Sequence, residues 1–478
     1  MEKNTKLLLI DMFEKWAGEE ARSFIMLPPS GSYREYYRIS GREKSAMGVY
    51  NSDQKENIAF IEFSNHFRQQ GLSVPMIYGQ DLNHNVYLQE DLGDITLYAF
   101  LQGIRKGNDF PEDLTAFYKK TLKSLIRFQI DGNDGLDYDN CYPRKAFDKQ
   151  SMLWDLHYFK YYFLKLARIP FDEQLLEDDY HHLIKFLMEA DQDYFLYRDF
   201  QSRNVMVVDD EPWFIDYQGG RKGALQYDVA SLLFDAKADI PNEVRKELFD
   251  FYIDELSKVK TIDKDLFKKH YYGYVLIRIM QAMGAYGFRG FYEKKEHFLK
   301  SIPYAIENLK YLLSIIDFKE KMPTLFAALT NVTESEELIN ISQDKEMLTV
   351  RVTSFSYKRG IPVDISGNGG GFVFDCRAIH NPGRYPEYAD KTGKDEEVIA
   401  FFGKEPEMAA FLNDVYSIVD KSVEKYIARG FKHLMVNFGC TGGQHRSVFS
   451  AEQLSAHLLN KYKVKVELKH VEQDMKRK

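Results

Sequence analysis

Cysteine is scarce in this chain. Only Cys141, Cys376 and Cys440 occur in 478 residues, and an odd, sparse set excludes a disulfide framework and fits a reducing compartment. Long apolar runs are missing as well. The sequence opens Met-Glu-Lys-Asn without the hydrophobic segment of a secretory signal, and Leu7-Leu8-Leu9-Ile10 is far too short to cross a bilayer. These absences predict a cytoplasmic protein with no membrane segment. Positive charge is not in excess either. The formal net charge is −8, which excludes a global basic field for nucleic acid or lipid. Lys476-Arg477-Lys478 forms a small basic tail that reads first as a solvated end. No internal repeat or low-complexity tract occurs, and no G-x-x-x-x-G-K-S/T phosphate loop.

What is present is an ordinary globular balance, 44% hydrophobic and 28% charged, enough for a sizeable core. Aromatic content is high, with 32 Tyr and 35 Phe, so many rings must line a core or a cleft. The length predicts more than one domain. Residues 5–26 have the spacing of an amphipathic helix, broken by Pro28-Pro29-Ser30-Gly31-Ser32. Two strands are expected around Gly41-Arg42-Glu43, a helix over 55–70, and further strands at 77–79 and 86–88. Helical patterning dominates 95–190 and 243–318, with strand and loop at 194–217. The polar stretch Thr333-Glu334-Ser335-Glu336-Glu337 marks a linker over 326–346. Strands then alternate with helices. The expected architecture is an α+β domain over 1–325, with a small N-terminal sheet lobe and a helical C-terminal lobe, followed by a smaller α/β domain over 347–478.

The strongest chemical signal is Tyr197-Arg198-Asp199-Phe200-Gln201-Ser202-Arg203-Asn204. It matches an H-R-D-x-x-x-x-N catalytic loop, with Tyr197 where histidine is usual. Phosphoryl transfer needs a carboxylate near the attacking hydroxyl and an oxygen ligand for Mg²⁺, and Asp and Asn at this spacing can aim both at one point. Val205 to Val208, a turn at Asp209-Asp210-Glu211-Pro212, and Trp213 to Ile215 then read as a hairpin whose far end delivers Asp216. That is the position of a metal-holding aspartate.

Around this set the chain resembles the aminoglycoside phosphotransferase/choline kinase-like branch of the kinase fold, also through Tyr227-Asp228-Val229-Ala230-Ser231-Leu232. Within that branch, Gly31-Ser32-Tyr33-Arg34-Glu35-Tyr36-Tyr37-Arg38, Glu90-Asp91-Leu92-Gly93-Asp94 and Asp216-Tyr217-Gln218 are similar to bacterial anomeric kinases of N-acetylmuramate and N-acetylglucosamine. The resemblance implies a bilobal kinase-like domain that uses ATP and Mg²⁺. Asp199 is then catalytic and Asn204 and Asp216 hold the metal. Ser30, Gly31, Ser32, Arg34, Arg38 and Glu90 bind the nucleotide. The sequence departs from protein kinases at Met47-Gly48-Val49-Tyr50, which lacks the strand lysine. Phosphate clamping then falls to Arg34 or Arg38, and an inactive kinase-like scaffold stays open as a second reading. Arg278, Gln281 and Tyr286 are substrate candidates on the helical lobe, with a packed helix surface as the alternative.

Near the C-terminus, Leu434 to Phe438 reads as a buried strand, followed by Gly439-Cys440-Thr441-Gly442-Gly443-Gln444-His445-Arg446-Ser447 and a helix. A strand, a glycine turn and a helix N-terminus converge backbone N–H groups on an anion. Cys440-x5-Arg446 has the spacing of a Cys-dependent phosphatase, although Gly439 replaces the usual preceding histidine. The same segment, with Ser354 to Pro362, Val373-Phe374-Asp375-Cys376-Arg377 and Asn381-Pro382, is similar to the C-terminal domain of the RNase adaptor family RapZ. That resemblance implies a phosphosugar pocket of Asp375, Arg377, Cys440, Thr441, Gly442, His445 and Arg446. It also implies RNA contacts at Lys358 and the tail. The tail supplies three cations, against the roughly seven that strong backbone affinity requires. Residues 365–371 and Gly383, where the family has a histidine, depart from the pattern. The expected function is an ATP-dependent phosphotransferase acting on a small-molecule hydroxyl, an amino sugar, with a phosphosugar-binding regulatory domain.

Overall fold

The computed structural model describes residues 3–28, 34–105, 109–341, 347–364, 370–429 and 431–476. The chain divides into two compact units, Met1–Leu338 and Ile339–Lys478.

The first unit opens with an antiparallel sheet of β1 (Ser23–Met26), β2 (Glu35–Ser40), β3 (Ser45–Tyr50), β4 (Ile77–Asp81) and β5 (Val86–Glu90), in the order β1-β2-β3-β5-β4. Tyr37 and Ile39 of β2, Ala46 of β3, and Val86 and Leu88 of β5 bury against Leu9 and Phe13 of the helix Lys3–Ala17. Gly48 permits that close approach, since a Cβ there would lie 3.2 Å from Leu9. The first helix is shorter than the spacing predicts. Gly18, at φ +71, ends it, and residues 23–26 pair with β2 as the edge strand instead. A second helix, Gln54–Gln69, starts on an Asp53 cap whose carboxylate accepts from the N–H groups of Lys55 and Glu56. It buries Phe60, Phe63, Ser64 and Phe67.

The helical lobe is built around the helix Lys264–Tyr286, which buries Tyr271, Tyr274, Ile277 and Met280. Two short antiparallel pairs lie at the entrance to this lobe: β6 (Tyr194–Leu196) with β9 (Arg221–Gly223), and β7 (Val205–Val208) with β8 (Glu211–Phe214). The β7–β8 turn has Asp209 at φ +50 and Asp210 at φ +59, the signature of a type I′ hairpin.

The stretch expected as linker begins inside a helix. Pro323–Glu334 buries Leu325, Phe326, Leu329 and Val332, and Leu325 N–H donates to the Asp179 carboxylate at 2.8 Å. The apolar i, i+4, i+7 stripe outweighs the polar residues that follow it. Residues 342–346 lie outside the described residues.

The second unit is a parallel sheet of β10 (Thr349–Ser356), β11 (Phe372–Asp375), β12 (His433–Cys440) and β13 (Lys465–His470), ordered β11-β12-β10-β13. Val350, Val352, Leu434, Val436 and Phe438 form its core with Val415, Val419, Leu454 and Leu458. The chain leaves β10 toward one side of the sheet and leaves β12 toward the other. The adjacent strand ends, Ser356 opposite Cys440, therefore sit at a topological switch point, where open α/β sheets place ligands.

Candidate active site

The loop 197–204 is held from below by Asp228. Its two carboxylate oxygens accept the backbone N–H groups of Tyr197 at 2.7 Å and Arg198 at 2.9 Å. Burial pushes the Asp228 carboxyl up to about 7, against the pull of those two donors. Arg198, at φ +82, sends its guanidinium to both oxygens of Asp155, each at 2.7 Å, and to the Tyr227 hydroxyl. Tyr197 is fully buried and donates to the Ile215 carbonyl at 2.6 Å. It thus links the loop to the residue before Asp216.

Asn204 and Asp216 meet at the base of the β7–β8 hairpin, where Ile215 N–H donates to the Asn204 carbonyl at 3.1 Å. The Asn204 amide nitrogen donates to the Asp199 carbonyl at 2.8 Å and to Asp216 Oδ2 at 3.2 Å. With its N–H groups committed, Asn204 has Oδ1 to offer a cation. Asp216, at φ +69, accepts on Oδ1 from Gln218 at 2.8 Å and from Arg34 at 3.3 Å. Burial raises its pKa, Arg34 opposes that, and Asp199 adds to it. Although enclosed, 36% of the Asp216 side chain stays open.

Arg34 is buried and bridges two acids: Asp216, and Glu56 on the second helix at 2.9 Å. Burial works to discharge its guanidinium, but the Tyr87 and Tyr36 phenols and the Asp216 carboxylate outweigh this and keep it charged. In kinases a strand lysine pairs with a helix glutamate; here an arginine preceding β2 makes the helix pairing. Tyr217 strengthens the same tie. It stacks on Phe60 with centroids 5.0 Å apart, and its hydroxyl lies 2.5 Å from Ser64 Oγ.

Asp216 and Asn204 are hard oxygen donors, which suits Mg²⁺. Among the described residues no group of three or more His, Cys, Asp or Glu could hold a metal. Two protein ligands fit an ion that is shared with nucleotide phosphates.

The other nucleotide candidates separate. Arg38 is committed to the segment after β5: it pairs with Asp91 at 2.7 Å and Asp94 at 2.8 Å. Glu90 uses its carboxylate on the Met76 N–H at 3.1 Å. Ser30, Gly31 and Ser32 lie outside the described residues.

Beside Asp199 opens a cavity of about 170 Å³. Arg278, Gln281 and Tyr286 all line it, as do Arg203, Asp235 and Lys237. Arg278 is oriented by Ser231 at 2.9 Å and Gln281 at 2.6 Å. Asp235 braces the 197–204 loop through the Ser202 hydroxyl at 2.6 Å. Sequence reasoning named the Tyr227-Asp228 segment but missed the individual roles of Asp228, Asp155, Glu56 and Asp235, because each acts through a partner distant in the chain.

In the second unit the glycine loop follows β12. Cys440 is buried; its Sγ accepts the Gly443 N–H at 3.2 Å and lies 3.2 Å from Ser447 Oγ. Gly443 has φ +64, and a Cβ there would meet Glu472 at 2.4 Å. Thr441 and Gly442 form the exposed rim. Arg446 turns inward, donating to the carbonyls of Arg377 at 2.8 Å and Ile379 at 2.9 Å. A phosphatase needs that guanidinium on the substrate, so this orientation disfavours the phosphatase reading. Arg377 pairs with Asp375 at 2.6 Å and lies 4.2 Å from the Tyr357 ring. His445 donates from Nε2 to the Tyr388 carbonyl at 2.8 Å. Gly383 packs so that a Cβ would lie 3.0 Å from the His445 ring. Lys358 lies on the turn Tyr357–Arg359 and Lys476 ends the helix Val471–Lys476, while Arg477, Lys478 and residues 365–369 lie outside the described residues.

Comparison with known proteins assigns the two halves separately. Residues 30–262 match the phosphotransferase enzyme family, and residues 348–474 match the RapZ C-terminal domain. A nucleotide-binding protein of Fervidobacterium nodosum is 41% identical over 131 residues, 27% of this chain and 45% of that protein. One from a Psychrobacter species is 35% identical over 182 residues, 36% of this chain and 54% of that protein. The chain spans about half the length of these curated relatives. Among solved structures, choline kinase from Cryptosporidium parvum aligns over 68% of this chain and 99% of that one, with TM-score 0.47 and 12% identity.

Proposed function

From a chain that joins a phosphotransferase-family domain to a RapZ C-terminal domain, we infer that the first unit transfers the γ-phosphoryl group of ATP to a hydroxyl of an amino sugar. The observation that carries this reading is the convergence of Asn204, Asp216 and Arg34 at one corner, with Asp199 opening onto an adjoining cavity.

Asn204 and Asp216 would hold a Mg²⁺ ion, which would supply charge neutralisation of the transferring group. Asp199 accepts the proton of the acceptor hydroxyl. Arg34 holds Asp216 in place and keeps positive charge beside the phosphates. Gln281, Tyr286 and Arg278 line the acceptor side and can hydrogen-bond sugar hydroxyls. Tyr197 and Asp228 keep the loop in register.

The second unit is the sensor in this reading. Its loop 439–446 receives the phosphate of a phosphosugar on backbone N–H groups at the rim of Thr441 and Gly442, with Arg377 and Asp375 beside it. This arrangement suits a small phosphorylated ligand better than an RNA, which requires a row of cations. All three cysteines are free and buried, and among the described residues no helix is long and apolar enough to cross a membrane. The free, buried cysteines suit the reducing cytoplasmic setting of this reading.

The test incubates intact protein with Mg·ATP and a panel of amino sugars, followed by phosphorus NMR. A phosphorylated sugar is expected. Neither turnover nor Mg·ATP binding would leave an inactive scaffold as the better reading.

A further inference from the structure

The first unit contains another cavity, of about 300 Å³, that phosphotransfer does not use. It is walled by the helices Asn242–Val259, Lys264–Tyr286 and Ile302–Ile315. Phe234 lines it, and the next residue, Asp235, lines the Asp199 cavity.

Its floor holds Arg245, which is 5% exposed. The guanidinium makes four hydrogen bonds: Nε to the Leu233 carbonyl at 2.9 Å, Nη1 to Asn242 Oδ1 at 2.9 Å, and Nη2 to the Ile240 carbonyl at 3.1 Å and Asn308 Oδ1 at 2.8 Å. All four acceptors are neutral. Buried charges are ordinarily paired, and this one has no carboxylate within bonding distance among the described residues. A guanidinium carries five N–H donors, so one on Nη1 is left over.

Three further groups point the same way. Lys246 and Lys268 stand on the wall, and neither ammonium has a hydrogen-bond partner among the described residues. The Tyr271 hydroxyl is buried and also lacks a partner among those residues. Burial holds that phenol far above its ordinary pKa, so it remains an O–H donor. Against three cations the lining sets one carboxylate, Asp250. The rings of Tyr272 and Tyr311 supply flat apolar surface beside this charge.

We propose that this cavity is a second ligand site, one that takes a small oxyanion carried on a flat ring. Arg245, Lys246, Lys268 and the Tyr271 hydroxyl receive the oxyanion, and Tyr272 and Tyr311 receive the ring. Phosphate and carboxylate share the needed chemistry, and ring-bearing examples of each separate them.

Phenyl phosphate and benzoate, with inorganic phosphate as the ringless control, are titrated calorimetrically into intact protein. The same titrations use Lys246→Met/Lys268→Met, Tyr271→Phe and Asp199→Asn. One ring-bearing anion is expected to bind about tenfold more tightly than inorganic phosphate, and to lose about tenfold or more in the double lysine variant. Tyr271→Phe should weaken it several-fold, and Asp199→Asn should leave it unchanged. Both lysines are exposed, so an unchanged melting temperature certifies the fold. No binding at millimolar concentration, equal binding to wild type and the lysine variant, or loss only in Asp199→Asn overturns the proposal. The measurement needs no turnover, so failure of the phosphotransfer reading is seen separately.

Discussion

The Tyr197 hydroxyl donates to the Ile215 carbonyl at 2.6 Å, which adds a third tie between the 197–204 loop and Asp216 to the two made by Asn204. A histidine is usual at this position of the loop sequence; here a phenol reaches the strand end from a fully buried ring that packs edge-on against Phe128, with centroids 5.6 Å apart.

Tyr197→Phe keeps the ring and takes the donor away from a half-buried carbonyl. Loss of about 1–3 kcal/mol of unfolding free energy is expected from the unsatisfied acceptor, together with a fall in phosphotransfer. Urea denaturation and an ADP-release assay measure the two effects. Unchanged stability would mean that the bond is not formed in solution.

Arg34 separates charge from geometry. Arg34→Met leaves Glu56 and Asp216 without their shared cation and should lower turnover by about 10³-fold or more, the scale of comparable arginine contacts in phosphoryl transfer. Arg34→Lys should recover only part, since one ammonium does not reproduce a fork that bonds both acids. Steady-state kinetics with varied Mg·ATP resolves the difference, and equal activities for the two variants would refute the bridging role.

Asp228 makes stability pH-dependent. Burial pushes its folded carboxyl up to about 7, above the ordinary aspartate value of 3.8. The folded state therefore binds this proton more tightly than the unfolded chain. The contribution is fully present below about pH 4 and disappears as pH rises through 7, with an upper bound of about 4 kcal/mol. Asp228→Asn removes the titration and turns an amide donor toward one of two backbone donors. Wild type should lose stability from pH 4.5 to 7.5 relative to this variant, as urea midpoints will show. Parallel pH profiles would contradict the assignment.

Arg446 should be structural. It is 5% exposed and bonded to two carbonyls, so Arg446→Met should destabilise the second unit by about 2–4 kcal/mol. Intact protein should release no phosphate from p-nitrophenyl phosphate, and Cys440→Ser should change nothing in that assay. Release that disappears in Cys440→Ser would restore the phosphatase reading.

The meeting of Asn204 and Asp216 was legible because the two residues are local. Asn204 and Asp216 flank one hairpin, and apolar strands with an Asp-Asp turn announce it. Arg34 was legible only as one of two candidates. Its partners Glu56 and Asp216 lie 22 and 182 positions away, and no spacing rule relates them. Arg38 looked equivalent until Asp91 and Asp94 were seen to occupy it. The first helix was overextended because Phe24 and Ile25 continue an apolar pattern, whereas Gly18 sets the true end. The expected linker contains the division between the units, at Leu338/Ile339, but it starts inside a helix because Glu334 to Glu337 drew attention away from Leu325, Leu329 and Val332. The second cavity left no mark in the sequence, since an arginine satisfied by carbonyls resembles any other arginine until its neighbours are known.

The β7–β8 hairpin works as a caliper. Its jaws, Asn204 and Ile215, are clasped by a backbone bond of 3.1 Å, and its tip is a two-residue bend at the far end. Residues could be added at Asp209–Asp210 without changing the gap between the jaws, which makes the bend a natural place for an inserted tag or label, and makes the clasp itself the one part of the tool whose length cannot vary.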